Sequence, residues 1–379
     1  MVSLFYNNLV LLLIFIITIK LNSYHFKIDS NLFNFFLFYH GAFTLLYILM
    51  FRGQSADYYT YLYLVNTDLG TWEDNEIKVF YFLSSNFIYN IIIFFKFIFL
   101  NDFSIIVIFS LISFFGIIVF IKNLIKLGVD EKIAYIVFLI PGFHFWTGVI
   151  GKDCLILFFL AYFFYFYIDK KFIYSIIFLI PVFMIRPHIG IIFFISVAIN
   201  EVISKKVHIT LILLSVSLFS IYIFFNIPQI HSLFFNSDDA LSYNLIQKIF
   251  IELNSHVGKF SSSGSGYQVS NLYANIFNYL IFPLEFILRN NSLTVNGFIF
   301  MEILTLIFLM IIISKQKKEF KINKRIMYFL CICIFVYLML LPQIFFNFGL
   351  NARQKWMIVP FIIYFLFLLK NLFVRRKKI

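Results

Sequence analysis

The chain has 379 residues, of which 62% are hydrophobic and 13% charged, with 57 Phe and a formal net charge of +12. A soluble domain carries roughly 25% charged residues, so the composition excludes a soluble enzyme and fits an all-α, polytopic integral membrane protein. Nor is the positive charge a nucleic-acid footprint: Lys and Arg gather in short stretches between apolar runs, "KNLIK", "DKK", "SKK", "SKQKKEFKINKR" and "RRKKI", as in cytoplasmic loops.

In chain order, "LVLLLIFIITI" opens a first span, read as retained because no small-residue cleavage site follows it. A second span leads to an external region from Arg52 to Asp102, which begins "FRGQSADYYTYLY" and contains the acidic run "DLGTWEDNE". Within it, Phe80–Leu100 reads as an interfacial or re-entrant segment, because a full span there would put "KNLIK" outside. Lys96 in its middle suits a snorkelling side chain. The run "IIVIFSLISFFGIIVFI" is the next span, followed by two short hairpins. Val207–Asn226 rises to a second external region, Ile227–Thr294, with an interfacial helix expected over Asn271–Arg289 and a linker at "FSSSGSGY". Val295–Ser314, Ile326–Phe346 and Trp356–Val374 complete the set, leaving "NFGLNARQK" as an outer loop. The expectation is one membrane domain over 1–379 with about eleven spans, the N-terminus outside and the C-terminus cytoplasmic. No internal repeat is visible, and Cys154, Cys331 and Cys333 all lie in apolar runs that suggest neither metal nor disulfide.

The two hairpins are the informative part. Only 36 residues (133 to 168) separate Lys132 from Asp169, whereas two full spans need roughly 40. This hairpin carries Pro141-Gly142 and the stretch Gly148 to Gly151, which interrupt regular helix. Its tip, with Lys152 and Asp153, should lie at or below the outer surface. The next hairpin, Phe172 to Ser204, is shorter and turns at "MIRPHIG". Arg186 precedes a proline and should end its helix. Charges and irregular backbone at such depth survive only inside protein or in a wet cavity. Lys152, Asp153, Arg186 and His188 are therefore expected to approach one external cavity, joined by Arg353 and Lys355. Plainer readings stand beside this one. Lys152-Asp153 also reads as a loop pair, Arg186 as an interfacial anchor, His144 and Trp146 as aromatic-belt residues, and Asp57 as an ordinary helix start.

The strings "PGFHFWTGVIGKD", "IRPHIG" and "NFGLNARQKWMIVP", with "RGQSADYYTYLY" before them, resemble the bacterial Wzy-type oligosaccharide repeat-unit polymerases and the related EpsG-like membrane proteins. The resemblance implies a GT-C-like glycosyltransferase at the outer face of the bacterial inner membrane. It would join oligosaccharide repeat units carried on undecaprenyl pyrophosphate and need no cofactor or metal. Its partners would be that lipid-linked substrate, membrane lipids, a flippase and a chain-length regulator, with no nucleic acid. A leaving pyrophosphate gains charge as the glycosidic bond breaks, which makes Arg186, Arg353 and Lys152 the clamp candidates, with Lys355 beside them. The acceptor hydroxyl needs a base, for which Asp57, Asp153 and His188 all remain open. His144, Trp146 and Tyr267 are the candidates for contact with substrate. Other readings are a lipid-linked oligosaccharide flippase or transporter, a transferase using a polyprenyl-monophosphate sugar, and a non-catalytic scaffold.

Overall fold

The computed structural model describes residues 16–18, 20, 28–50, 57–68, 85–98, 101–204, 304, 307–315, 323–344 and 348–376. Among the described residues there are helices and connecting turns and no strand. Val207–Asn226, the second external region and its interfacial helix, and Tyr267 lie outside them. The chain divides into two compact units, 1–186 and 187–379.

The first unit contains α1 (Ser30–Met50), α2 (Asp57–Asp68), α3 (Ser85–Phe97), α4 (Asp102–Lys126), α5 (Glu131–Val137), α6 (Pro141–Thr147), α7 (Lys152–Ile168) and α8 (Phe172–Ile185). Short polar side chains set several starts. The Asp29 carboxylate accepts from the Asn31 and Leu32 N–H groups at 3.0 and 3.1 Å, Asn101 from Ser104 N–H at 2.7 Å, and Asp130 from Lys132 N–H at 3.0 Å. Each satisfies a first-turn donor that has no partner within its helix. α1 and α4 are long and apolar enough to cross a membrane, and α6 with α7 makes a third candidate if that bent pair is one span. The protein is thus an all-α membrane protein. The described part of α3 has 13 residues, roughly 20 Å of helix. The Lys96 ammonium pairs with Asp102 at the start of α4 and donates to Asn66 Oδ1 at 2.8 Å.

Side-chain contacts fix the relative levels of these helices. α1 and α4 are antiparallel: Phe33 meets Phe114, His40 meets Ser113, and Thr44 meets Ser110. α4 and α7 are parallel, with Cys154 Sγ on the Phe109 carbonyl at 2.8 Å, Asn123 Nδ2 donating to the Ala161 carbonyl at 3.1 Å, and Lys126 paired with Asp169. The chain therefore climbs back between α4 and α7 through α5 and α6. Along that limb Tyr135 packs on Phe36, Tyr39 Oη donates to the Leu139 carbonyl, and His144 reaches His40. α8 returns antiparallel to α7, with Tyr174 beside Phe166 and Phe178 stacked on Tyr162.

α4 and α7 approach most closely at Gly116, where an added Cβ would lie 2.9 Å from Phe158 Cα. The contact is backbone to side-chain position, the close approach that small residues permit between membrane helices. At the far end Lys126 also sits 4.1 Å over the Tyr165 ring, so the basic loops of this unit collect at one end and the hairpin tip at the other.

The second unit contains α9 (Pro187–Ile203), α10 (Lys324–Ile344) and α11 (Phe348–Arg376). The buried Glu201 carboxylate accepts from Arg325 Nε at 2.8 Å and Nη2 at 2.5 Å, joining the end of α9 to the start of α10. Lys370 of α11 donates to the Ile313 carbonyl at 2.6 Å. Both contacts lie next to basic stretches of the sequence.

Gly116→Ala is expected to destabilise the protein by about 1–3 kcal/mol, because the α4–α7 contact must open. Helix propensity alone predicts a gain of about 1 kcal/mol, so the sign decides between the two effects. The measurement is the thermal unfolding midpoint in detergent; an unchanged or raised midpoint would rule out the close packing.

Candidate active site at the hairpin tips

The first tip is built by a break in helix. α6 begins with Pro141 in its first turn and ends at Thr147. Residues 148–151 unwind, and α7 departs at 114° to α6. Gly148 lies against α1, where a Cβ would stand 2.4 Å from Thr44 Oγ1 and 2.9 Å from the His144 carbonyl. No other residue fits there. Gly151 is fully extended and redirects the chain so that Lys152 and Asp153 open α7.

The tip is submerged relative to its neighbours. Gly148 sits level with Thr44, six residues before the last residue of α1, which is roughly 9 Å along the axis. Cys154 sits level with Phe109, seven residues after the first residue of α4, roughly 10 Å. Both neighbouring helices therefore extend past the tip by similar lengths.

The second tip ends where proline stereochemistry dictates. Arg186 leaves the helix with φ −139° and ψ 91°, the extended conformation that a following proline enforces. Its guanidinium Nη2 donates to Asp153 Oδ1 at 2.6 Å, with side-chain exposures of 7% and 9%. "GKD" and "IRP" thus meet in one buried ion pair. Arg186 Nη1 is buried and has no hydrogen-bond partner among the described residues. A guanidinium offers five N–H donors, so this one retains donor capacity beside the carboxylate it already holds.

The other candidates are distributed. Lys152 is partly exposed at the first position of α7, and Trp146 is partly exposed, edge-on to Tyr47 and Phe145. His188 is partly exposed in the first turn of α9, in the second unit. Asp57 is the first residue of α2. Arg353 and Lys355 lie in the first two turns of α11 rather than in an outer loop. Leu350, Ala352, Arg353, Gln354 and Lys355 are all good helix formers, which outweighs the Asn and Gly before them. The side-chain positions of Asp57, Arg353 and Lys355 lie outside the described residues.

His144 is fully enclosed and belongs to a network that the sequence reading missed. Its Nδ1 lies 3.0 Å from His40 Nδ1 and its Nε2 lies 2.8 Å from the Phe138 carbonyl. A carbonyl only accepts, so Nε2 carries the proton. In the neutral ring Nδ1 is then an acceptor. His40 Nε2 lies 3.1 Å from the Ser110 carbonyl and 2.9 Å from Ser113 Oγ, and the Ser113 hydroxyl donates to the Ser110 carbonyl at 2.9 Å. The two rings and these groups form one buried polar cluster. The signal in the sequence was a single ionisable residue, His40, inside the otherwise apolar run "FLFYHGAFTLLYI".

Removing one ring of this pair leaves a buried partner unsatisfied. His40→Phe and His144→Phe are each expected to cost about 1–3 kcal/mol, and the double substitution less than their sum. A double-mutant cycle on thermal unfolding in detergent measures the coupling; strict additivity would mean that the two rings do not share a hydrogen bond.

Compared with known proteins, the chain matches no family model, no curated protein and no solved structure, so the functional argument rests on the chemistry of these residues.

Proposed function

We propose that this protein is a membrane glycosyltransferase that polymerises oligosaccharide repeat units carried on undecaprenyl pyrophosphate. The reading places it in the bacterial inner membrane as a GT-C-like chain of about eleven spans, N-terminus outside and C-terminus cytoplasmic, with its site at the outer face. The observation that carries it is the buried Arg186–Asp153 pair at the junction of two submerged tips, with guanidinium capacity to spare at Nη1. A buried ion pair is close to break-even for stability against apolar residues of similar size. Its presence in so apolar a chain favours a chemical role.

In the proposed reaction an acceptor hydroxyl oxygen bonds to the anomeric carbon of the growing chain. The bond from that carbon to the pyrophosphate oxygen breaks, and its electron pair leaves with the lipid pyrophosphate. The hydroxyl proton passes to a base. Arg186 stabilises the charge that grows on the leaving group, through hydrogen bonds in the plane of its guanidinium. As the phosphate oxygens compete for the guanidinium, the Asp153 carboxylate is released to accept the proton. One ion pair thereby couples leaving-group binding to base availability. Lys152 adds a point charge, and Trp146 offers an aromatic face for a sugar. A transporter reading would set Lys96 within a span, but it closes a 13-residue helix and is tied to Asp102.

Arg186→Ala is expected to abolish the surface-glycan ladder at normal membrane abundance, a loss of roughly a hundredfold or more in rate. Arg186→Lys should recover only short ladders, since the charge stays and the planar fork is lost. Asp153→Asn should be as damaging as Arg186→Ala. Ladders are read on gels from the native host, with an epitope tag reporting protein level. A full-length ladder from Arg186→Ala at wild-type abundance would remove this site from the reaction.

A further inference from the structure

The cluster around His40 and His144 is a group of buried titratable side chains apart from the Arg186–Asp153 junction. Both rings are enclosed, with exposures of 1% and 0%. Their Nδ1 atoms face each other at 3.0 Å, and their Nε2 atoms point to oxygens at the two ends. His144 Nε2 meets the Phe138 carbonyl at 2.8 Å, and His40 Nε2 meets Ser113 Oγ at 2.9 Å and the Ser110 carbonyl at 3.1 Å. Ser113 Oγ lies 2.9 Å from both His40 Nε2 and the Ser110 carbonyl. Its single proton therefore serves one or the other.

These distances accommodate two proton arrangements on one set of heavy atoms. In the first, the Ser113 hydroxyl donates to His40 Nε2, His40 Nδ1–H donates to His144 Nδ1, and His144 Nε2–H donates to the Phe138 carbonyl. Both rings are then neutral. In the second, the Ser113 hydroxyl turns to the Ser110 carbonyl. An added proton occupies His40 Nε2 and is donated to Ser113 Oγ and the Ser110 carbonyl. The proton between the Nδ1 atoms stays, on either ring, and the pair carries one positive charge. Every N–H has an acceptor in both arrangements. A further proton would set two N–H groups against each other across the Nδ1 contact, so uptake stops at one and belongs to the pair. We propose that His40 and His144 form a binding site for a single proton, shared between the two Nδ1 atoms and admitted by rotation of the Ser113 hydroxyl.

Oxygens hold the charge. Tyr39 of α1 stands edge-on to His144, and its Oη donates to the Leu139 carbonyl. α4 presents the Ser110 and Ser113 hydroxyls, and Tyr135 of α5 packs on Phe36. On α7 the Cys154 thiol donates to the Phe109 carbonyl and Asp153 is paired with Arg186. Among the described residues no charged side chain contacts either ring. Hydrogen bonds from a charged donor are shorter and roughly twice as strong as neutral ones. Proton uptake therefore tightens the α1–α6 contact behind the first tip. The inference rests on the cluster alone and is independent of the transferase reading.

The test is solid-state NMR of the full-length protein in lipid vesicles, with nitrogen-15-labelled histidine. The titration runs from about pH 8 to about pH 4, which brackets the ordinary histidine value. A nitrogen–nitrogen coupling across the Nδ1 contact identifies the two rings without any variant. The expected result is one proton taken up by the two rings together, at one midpoint, with the coupling retained. Ser113→Ala removes the donor to His40 Nε2 and so penalises the neutral arrangement. It should raise the midpoint by about one pH unit, the worth of roughly one hydrogen bond. Ser113→Thr keeps the hydroxyl and should keep the midpoint. Rings that stay neutral over the whole range would overturn the proposal, as would two protons taken up at separate midpoints. An unchanged or lowered midpoint in Ser113→Ala would overturn the hydroxyl switch. If Ser113→Ala fails to fold, the titration of the unaltered protein decides.

Discussion

The ends of two helical segments meet at Arg186 and Asp153, and the rest of the first unit is arranged to make that contact possible. Unwound backbone at membrane depth must be covered by protein. Residues 148–151 are covered because α1 runs about two turns beyond them and α4 starts about two turns above Cys154. The tip can lie there only because Gly148 lets it press against Thr44, and because Gly151 is extended and turns the chain into α7. The ion pair then closes the junction, with both partners almost fully buried. Breaking such a pair by removing one partner costs about 3–5 kcal/mol, so a ligand that replaces one partner must supply a charge of the same sign.

Much of this was legible in the sequence because it follows from local rules. The proline after Arg186 forbids helical angles, and Arg186 is extended. The glycines from 148 to 151 interrupt a helix that is too long for one leaflet and too short for two spans, and the chain bends by 114° there. The gathering of the first unit's basic loops at one end also follows from composition, with Lys126 on Asp169 as the contact that ties them.

What was not legible depends on which helices become neighbours. His40 and His144 are separated by 104 positions, and nothing in either run states that they face each other. Read alone, His144 looks like a belt residue among Phe143, Phe145 and Trp146. Only the partner turns it into an enclosed link, with its Nε2 proton on the Phe138 carbonyl. The start of α11 failed for the opposite reason. "NFGLNARQK" was placed as an outer loop by its position between two spans, while Leu350 to Lys355 carried a helical preference. That places Arg353 and Lys355 on a helix, whose residues are fixed by its axis rather than by the reach of a loop.

The two halves of the ion pair are not held with equal stiffness. Asp153 follows a limb braced by the His40–His144 link, the Thr44–Gly148 contact, the Cys154 thiol on the Phe109 carbonyl and the Gly116 crossing. Arg186 ends α8, which contains Pro181 and so lacks one backbone hydrogen bond within its last turns. One face of α8, with Ile173, Ile177 and Ile180, is exposed, so α8 is packed on fewer sides than α7. Displacement at the junction therefore falls on Arg186 before it falls on Asp153. A carboxylate fixed by the bundle and a guanidinium on a more compliant support form a pair that can open without unfolding the tip that carries the acid.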